Sequence, residues 1–226
     1  MAAPVLTTPL HARWEAMGAE MTDVLGWRVP ARFGDGTTEA RAARNGVALG
    51  DETPRGKLLV QGDAAARVVT EALGAAPERV GEVSGREIAS CRLRPDLLFV
   101  GTVPIELEAA RKQLDTAAAA ADLVSVTDVT HGRFEFRLLG PSSAELLSRV
   151  CGLDFDDSAF PDLRARETSV ARIKALVVRA DAGERPAYRL LGGRALGAYV
   201  WDALMEAGVE LGIAPIGSAT LRDLKA

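Results

Sequence analysis

Side chains able to do chemistry are thinly spread along this 226-residue chain. The densest set is Asp128-Val129-Thr130-His131-Gly132-Arg133, directly ahead of an apolar segment. A base (His131), an orienting acid (Asp128) and a nucleophile (Thr130) could be assembled from it. Members of a catalytic triad ordinarily converge from distant segments, so this run reads as a polar turn leading into a strand. His11, the other histidine, stands at a helix start with no partner. Asp154–Asp157 holds three carboxylates in four positions, a donor set for a hard cation but also the composition of a solvated loop. Gly192-Gly193 with Gly197 falls between a short strand and a helix, yet lacks the GxGxxG spacing of a nucleotide-binding turn. No GxxxxGK[ST] phosphate loop occurs. Cys91 and Cys151 are the only cysteines and neither lies in a CxxC pair, which excludes a disulfide framework and a zinc cluster. No metal centre is expected.

Composition narrows the setting. With 27 basic and 31 acidic residues the formal charge is −4, so no basic field exists to hold a nucleic-acid backbone. The longest apolar run, Ala117–Ala121, falls far short of the ~20 residues that span a bilayer. The opening MAAPVLTTPL has neither the basic nor the apolar region of a secretory signal. A cytoplasmic protein, bound to neither membrane nor nucleic acid, is the expectation. Lysine occurs only at 57, 112, 174 and 225, which leaves 23 arginines. No arginine can therefore be called functional on residue type alone.

The elements that must position these groups follow from periodicity. Trp14, Met17, Met21, Val24 and Leu25 fall on one helical stripe that Gly26 would close. Gly34-Asp35-Gly36 reads as a turn, and Glu39–Asn45 as a short helix ended by Gly46. A strand at Lys57–Gln61, a turn at Gly62-Asp63 and a helix over Ala64–Leu73 closed by Gly74 come next. The same grammar returns about seventy residues later, with a strand at Phe134–Leu139, a turn at Gly140-Pro141-Ser142 and a helix over Ser143–Val150. In that second strand the alternation predicts burial of mainly one face, with Glu135 and Arg137 on the other. Strands are predicted at Glu87–Leu93, Asp96–Thr102, Leu123–Asp128, Thr168–Ile173, Ala175–Arg179 and Tyr188–Leu191, and helices over Ile105–Ala121 and Leu196–Ala207. Strands in adjacent pairs, irregularly mixed with helices, indicate an α+β fold with antiparallel sheets.

One succession of residues is more specific. Thr8-Pro9-Leu10, Gly18-Ala19-Glu20-Met21, Gly26-Trp27-Arg28-Val29-Pro30, Glu39, Arg44-Asn45-Gly46-Val47, Leu49, Asp51 and Gly56-Lys57 appear in that order. The succession resembles the opening of the glycine-cleavage T-protein (aminomethyltransferase) superfamily. The second half is similar to one branch, the gamma subunit of heterotetrameric sarcosine oxidase, through Val126-Thr127-Asp128, His131-Gly132-Arg133, Gly140-Pro141, Cys151-Gly152-Leu153-Asp154, Ala159-Phe160-Pro161 and Val200-Trp201. The resemblance implies interlocked, discontinuous α+β domains, here 1–52 with 130–226 and, between them, 53–129. It implies tetrahydrofolate as carrier of a one-carbon unit. The barrel domain that follows in full T-proteins is expected to be absent from this chain.

Departures from the family pattern carry as much information. Active relatives use an aspartate in a Gly-Gly-x-x-Asp-Asp-type segment, but here the stretch is Gly85-Arg86-Glu87-Ile88-Ala89-Ser90-Cys91. Glu87 or Asp96 would have to stand in for it. Relatives hold the pterin with a glutamate, whose carboxylate accepts paired N–H bonds from the aminopyrimidine edge; here that segment reads Ala187-Tyr188-Arg189. Arginine has five donors and no acceptor. The family's Arg-Asp-Thr-Leu-Arg run survives only as Thr220-Leu221-Arg222. The resemblance thus leaves Glu184, Tyr188, Arg189 and Arg222 as candidates around a cofactor site and implies two functions. One is a non-catalytic accessory subunit, packed on flavoprotein amine oxidase subunits, whose folate site has degraded. The other is a tetrahydrofolate-dependent aminomethyl- or methyltransferase that uses substituted acids. A folate-binding protein supporting iron–sulfur enzymes is a more distant reading, because its Lys-Gly-Cys-Tyr-x-Gly-Gln segment does not occur.

Overall fold

The computed structural model describes residues 5–225. In chain order, β1 (Leu6–Thr7), α1 (His11–Ala16), β2 (Glu20–Val24), β3 (Trp27–Arg32), α2 (Gly36–Asn45) and β4 (Ala48–Asp51) come first. Then follow β5 (Gly56–Gln61), α3 (Ala65–Leu73), β6 (Val83–Ser84), β7 (Ala89–Arg94), β8 (Leu97–Thr102), α4 (Leu107–Ala119) and β9 (Ser125–Asp128). The remainder is β10 (Arg133–Leu139), α5 (Ser143–Val150), β11 (Ala165–Val170), β12 (Ile173–Arg179), β13 (Ala187–Gly193), α6 (Gly197–Ala207), β14 (Ala214–Ile216) and α7 (Ser218–Lys225). Two compact units share these elements, one of residues 1–54, 134–162 and 168–226, the other of 55–133 and 163–167. The architecture is α+β with sheets rich in antiparallel pairs, as the irregular strand grouping predicts.

The smaller unit is a five-stranded sheet, ordered β6-β7-β8-β5-β9, with antiparallel neighbours throughout. Leu58, Val60, Leu98 and Val100 of the sheet pack with Val68 and Val69 of α3 and Leu114 of α4. Gly74 takes a left-handed φ of +86° and ends α3, which is what a helix C-terminal glycine does. Cys91 is buried, as its place in the alternation predicts.

The larger unit is organised on a six-stranded sheet, ordered β11-β12-β13-β10-β4-β14, and a three-stranded one, β1-β3-β2. Trp14, Phe134, Phe136, Leu146, Val177, Leu190 and Trp201 belong to its main core. The ring of Trp14 meets Trp201 edge-on at 4.6 Å and Phe33 at 5.2 Å. A second cluster, on Ala43, Ala48, Leu139, Ala187, Ile216 and Leu221, seats α2 and α7 against the sheet.

The stripe from Trp14 to Leu25 does not form one helix. Only His11–Ala16 is helical; Gly18 turns to φ +68°, and Glu20–Val24 becomes a strand paired with Trp27–Arg32. Leu25 (φ +49°) and Gly26 (φ +83°) make the two-residue connection, the positive-φ pair that suits the twist of a hairpin. Strand pairing outweighs a periodic coincidence of five apolar residues. Gly192 and Gly193, expected to separate a strand from a helix, are the last residues of β13. His11 does have a neighbour, since its Nε2 lies 3.4 Å from the Glu15 carboxylate one turn on.

Candidate functional site

β10 lies in the middle of the six-stranded sheet, between β13 and β4. That position pairs both edges of the strand, and here both faces are covered as well, so the expectation that mainly one face is buried is wrong. Glu135 is 2% and Arg137 4% exposed. Phe134, Phe136 and Leu138 enter the aromatic core, while Glu135 and Arg137 occupy the opposite face by simple alternation. Phe136 stands opposite Asp51, and the Glu52 amide donates to the Glu135 carbonyl at 2.9 Å. This register brings Glu52 beside Glu135.

Arg189 of β13 completes the group. Its Nε is 3.7 Å from a Glu135 carboxylate oxygen and 3.8 Å from one of Glu52. These are ion-pair separations. All three side chains are at least nine-tenths buried. Arg137 directs Nη2 to the Ala180 carbonyl at 2.7 Å, so this face carries two carboxyl groups and two guanidinium groups. Charged groups that deep persist only when their partners are built in.

On the aromatic face, Asp51 accepts from the Thr53 amide at 3.0 Å and from Trp14 Nε1 at 3.4 Å. Burial pushes its carboxyl above the usual carboxylate range, and the bonds from Thr53, Thr8 and Trp14 oppose that rise. Tyr188, next to Arg189 in the strand, points to this face and is fully buried with Phe155 and Phe160. Desolvation pushes its phenol up to about 12. The Arg179 guanidinium lies 5.7 Å from the Tyr188 ring centre and is fixed by Asp181 at 3.0 Å and Asp157 at 2.5 Å. Of the acidic run, Asp157 thus holds an arginine, and Asp154 and Asp156 accept from the amides of Asp156 and Ser158. The described residues contain no cluster of His, Cys, Asp or Glu suited to a metal ion.

The residues proposed from sequence are not gathered at one point. Tyr188 and Arg189 face opposite sides of one strand. Glu184 is exposed in the β12–β13 loop and Arg222 is exposed on α7. In the smaller unit Glu87 is exposed, with its carbonyl accepting from Arg55 at 2.8 Å, and Asp96 sits in the β7–β8 turn 3.5 Å from Arg94. His131 is exposed in a single helical turn before β10. Sequence reasoning missed Glu52 and Glu135, because alternation along a strand does not tell whether its second face is covered.

A guanidinium donates and cannot accept, so Arg189 offers nothing to the N–H edge of an aminopyrimidine. The carboxylates beside it, Glu52 and Glu135, lie within ion-pair reach of Arg189. Arg189 itself therefore does not supply the acceptor that the N–H edge of a pterin needs. With Glu52 and Glu135 it forms a buried polar layer between strands.

Comparison with known proteins bears on the fold as a whole. The family model described as the GCVT N-terminal domain matches residues 85–226. Aminomethyltransferases from Saccharopolyspora erythraea and Mycobacterium avium are 25% and 29% identical, with 93% and 95% of this chain covered. The chain spans 60% of the length of each. The glycine cleavage system aminomethyltransferase T of Bartonella henselae superposes with a TM-score of 0.80 at 17% identity, over 98% of this chain and 62% of that one. A chain of the heterotetrameric sarcosine oxidase from Corynebacterium sp. U-96 superposes with a TM-score of 0.70 at 24% identity, over 92% of this chain and 96% of that one. No helix among the described residues is long and apolar enough to cross a membrane.

Proposed function

The chain belongs to the family of the GCVT N-terminal domain, and on that premise we propose that it is an accessory, non-catalytic subunit of an amine-oxidising flavoprotein assembly in folate-linked one-carbon metabolism. One observation carries the reading. Where the family resemblance calls for a carboxylate to hold the pterin, a buried guanidinium stands between Glu52 and Glu135. Removing a charge-assisted contact from a buried site lowers affinity by about 30–4,000-fold. Reversing the charge adds a repulsion between donors.

Two further facts support it. Of the candidate acids, Glu87 is exposed and meets Arg55 through its backbone carbonyl, while Asp96 is paired with Arg94 in the β7–β8 turn. One of the solved chains it resembles, matched over 92% of this chain and 96% of that one, comes from a heterotetrameric sarcosine oxidase.

The test is activity and assembly together. Purified chain, given tetrahydrofolate and an aminomethyl or formaldehyde-level donor, is expected to form no one-carbon folate above the uncatalysed rate. Co-expressed with the large subunits of a heterotetrameric sarcosine oxidase, it is expected to co-elute with them on size exclusion. One-carbon transfer catalysed by the chain alone would contradict the proposal and favour the transferase reading, in which other acids replace the missing ones.

A further inference from the structure

A separate cavity of about 420 Å³ lies in the larger unit, away from the buried polar layer. Three elements wall it. Arg32 ends β3, Gly36, Thr37 and Arg44 run along one face of α2, and Thr220 and Asp223 come from α7. These walls are fixed to one another by a single buried carboxylate. Glu39 of α2 accepts from the Phe33 amide at the end of β3, and from the Gly217 amide, just before α7, at 3.1 Å. Gly217 itself touches β3 so closely that a Cβ there would lie 2.0 Å from the Ala31 carbonyl oxygen.

The donors in the cavity are out of proportion to its acceptors. Arg32 and Arg44 contribute two guanidiniums, against the one exposed carboxylate of Asp223. The first turn of α2 is capped by Asp35, whose carboxylate accepts from the Thr38 amide at 2.9 Å and offsets the positive end of the helix. The second, independent signal is Thr220. The residue is 3% exposed and lines the cavity, and its Oγ1 has no hydrogen-bond partner. A buried hydroxyl without a partner is uncommon in a folded protein and calls for an explanation. The absence of a side chain at Gly36 makes room for the Arg32 guanidinium: a Cβ there would sit 2.5 Å from Arg32 Nη1 and 3.5 Å from Thr220 Oγ1.

We propose that this cavity binds the phosphate group of a small molecule, held by Arg32, Arg44 and the Thr220 hydroxyl. Donors reach it from three elements and so from several directions. A tetrahedral phosphate presents three oxygens to such a set, whereas a planar carboxylate presents two. The phosphate's charge of about −1.5 to −2 also matches two guanidiniums.

The experiment is calorimetric titration of the full chain with inorganic phosphate, methyl phosphate and acetate at constant ionic strength. At least one phosphate species is expected to bind about tenfold more tightly than acetate, and the tighter of the two identifies free phosphate or an ester as the ligand. Arg32→Gln and Thr220→Val are each expected to weaken phosphate about tenfold. Thr220→Val should do so without loss of thermal stability, because it removes a hydroxyl that has no partner in the free protein. That combination separates a ligand contact from a structural role. Absence of phosphate binding at about 10 mM, where occupancy would raise the melting temperature by linkage, overturns the proposal. So does acetate binding as tightly as the phosphates, or a Thr220→Val protein that binds phosphate as the wild type does.

Discussion

Arg189→Leu is expected to destabilise the folded chain by about 3–5 kcal/mol, the usual consequence of removing one member of a buried ion pair. Glu52 and Glu135 would keep their places in a sheet interior without the cation that stands 3.8 and 3.7 Å away. For a protein of this length the change lowers the melting temperature by roughly 6–20 °C. Urea denaturation followed by circular dichroism measures it. Adding Glu135→Gln to the leucine variant removes one of the stranded charges and should recover a substantial part of the loss. An Arg189→Leu protein as stable as wild type would mean that the guanidinium is not what keeps the two carboxylates buried.

Trp14→Ala is the other large effect. The indole is fully buried, meets Trp201 and Phe33 edge-on, and directs Nε1 to Asp51 at 3.4 Å. Its removal opens a cavity beneath the β2–β3 hairpin side of the core and withdraws one donor from a buried carboxylate. A loss of about 3–5 kcal/mol is expected from the cavity and transfer contributions together. Trp14→Phe keeps most of the ring and should lose distinctly less. Chemical denaturation of the two variants side by side checks the order; equal losses would place the effect in the indole N–H rather than in packing.

The two variants mark what could and could not be read from the residues in order. The strand–turn–helix units were plain because each is local: Phe134–Leu139, Gly140 and Ser143–Val150 reappear within a residue of their predicted places. The segment from Trp14 to Leu25 was misleading for the opposite reason. Its fate depends on whether a partner strand exists, and Leu25-Gly26 takes the hairpin geometry only because Trp27–Arg32 is there to pair.

Position in the sheet hid the polar layer in the same way. Alternating charge in Phe-Glu-Phe-Arg looks like one wet face, yet Glu135 and Arg137 are buried as Phe134 and Phe136 are, and Glu135 is met there by Arg189 of the neighbouring β13. Glu52, one residue beyond β4, carries no local signal at all. Its role comes from register with Glu135, which no spacing along the chain records. Arg189, by contrast, was legible once the family pattern was in view, because a reversal of charge is visible in a single letter. Tyr188 was not, since sequence cannot say which face of β13 it takes. The structure turns it into the aromatic core, beneath Arg179.

The central claim is that a buried guanidinium, balanced by its own carboxylates, has replaced the anion that pterin recognition needs. Calorimetric titration of the purified full chain with tetrahydrofolate tests it most directly. No saturable heat is expected up to about 10 μM, since a loss of about 30–4,000-fold moves a micromolar affinity to roughly 30 μM or weaker. A one-to-one isotherm with micromolar or tighter affinity would contradict the account.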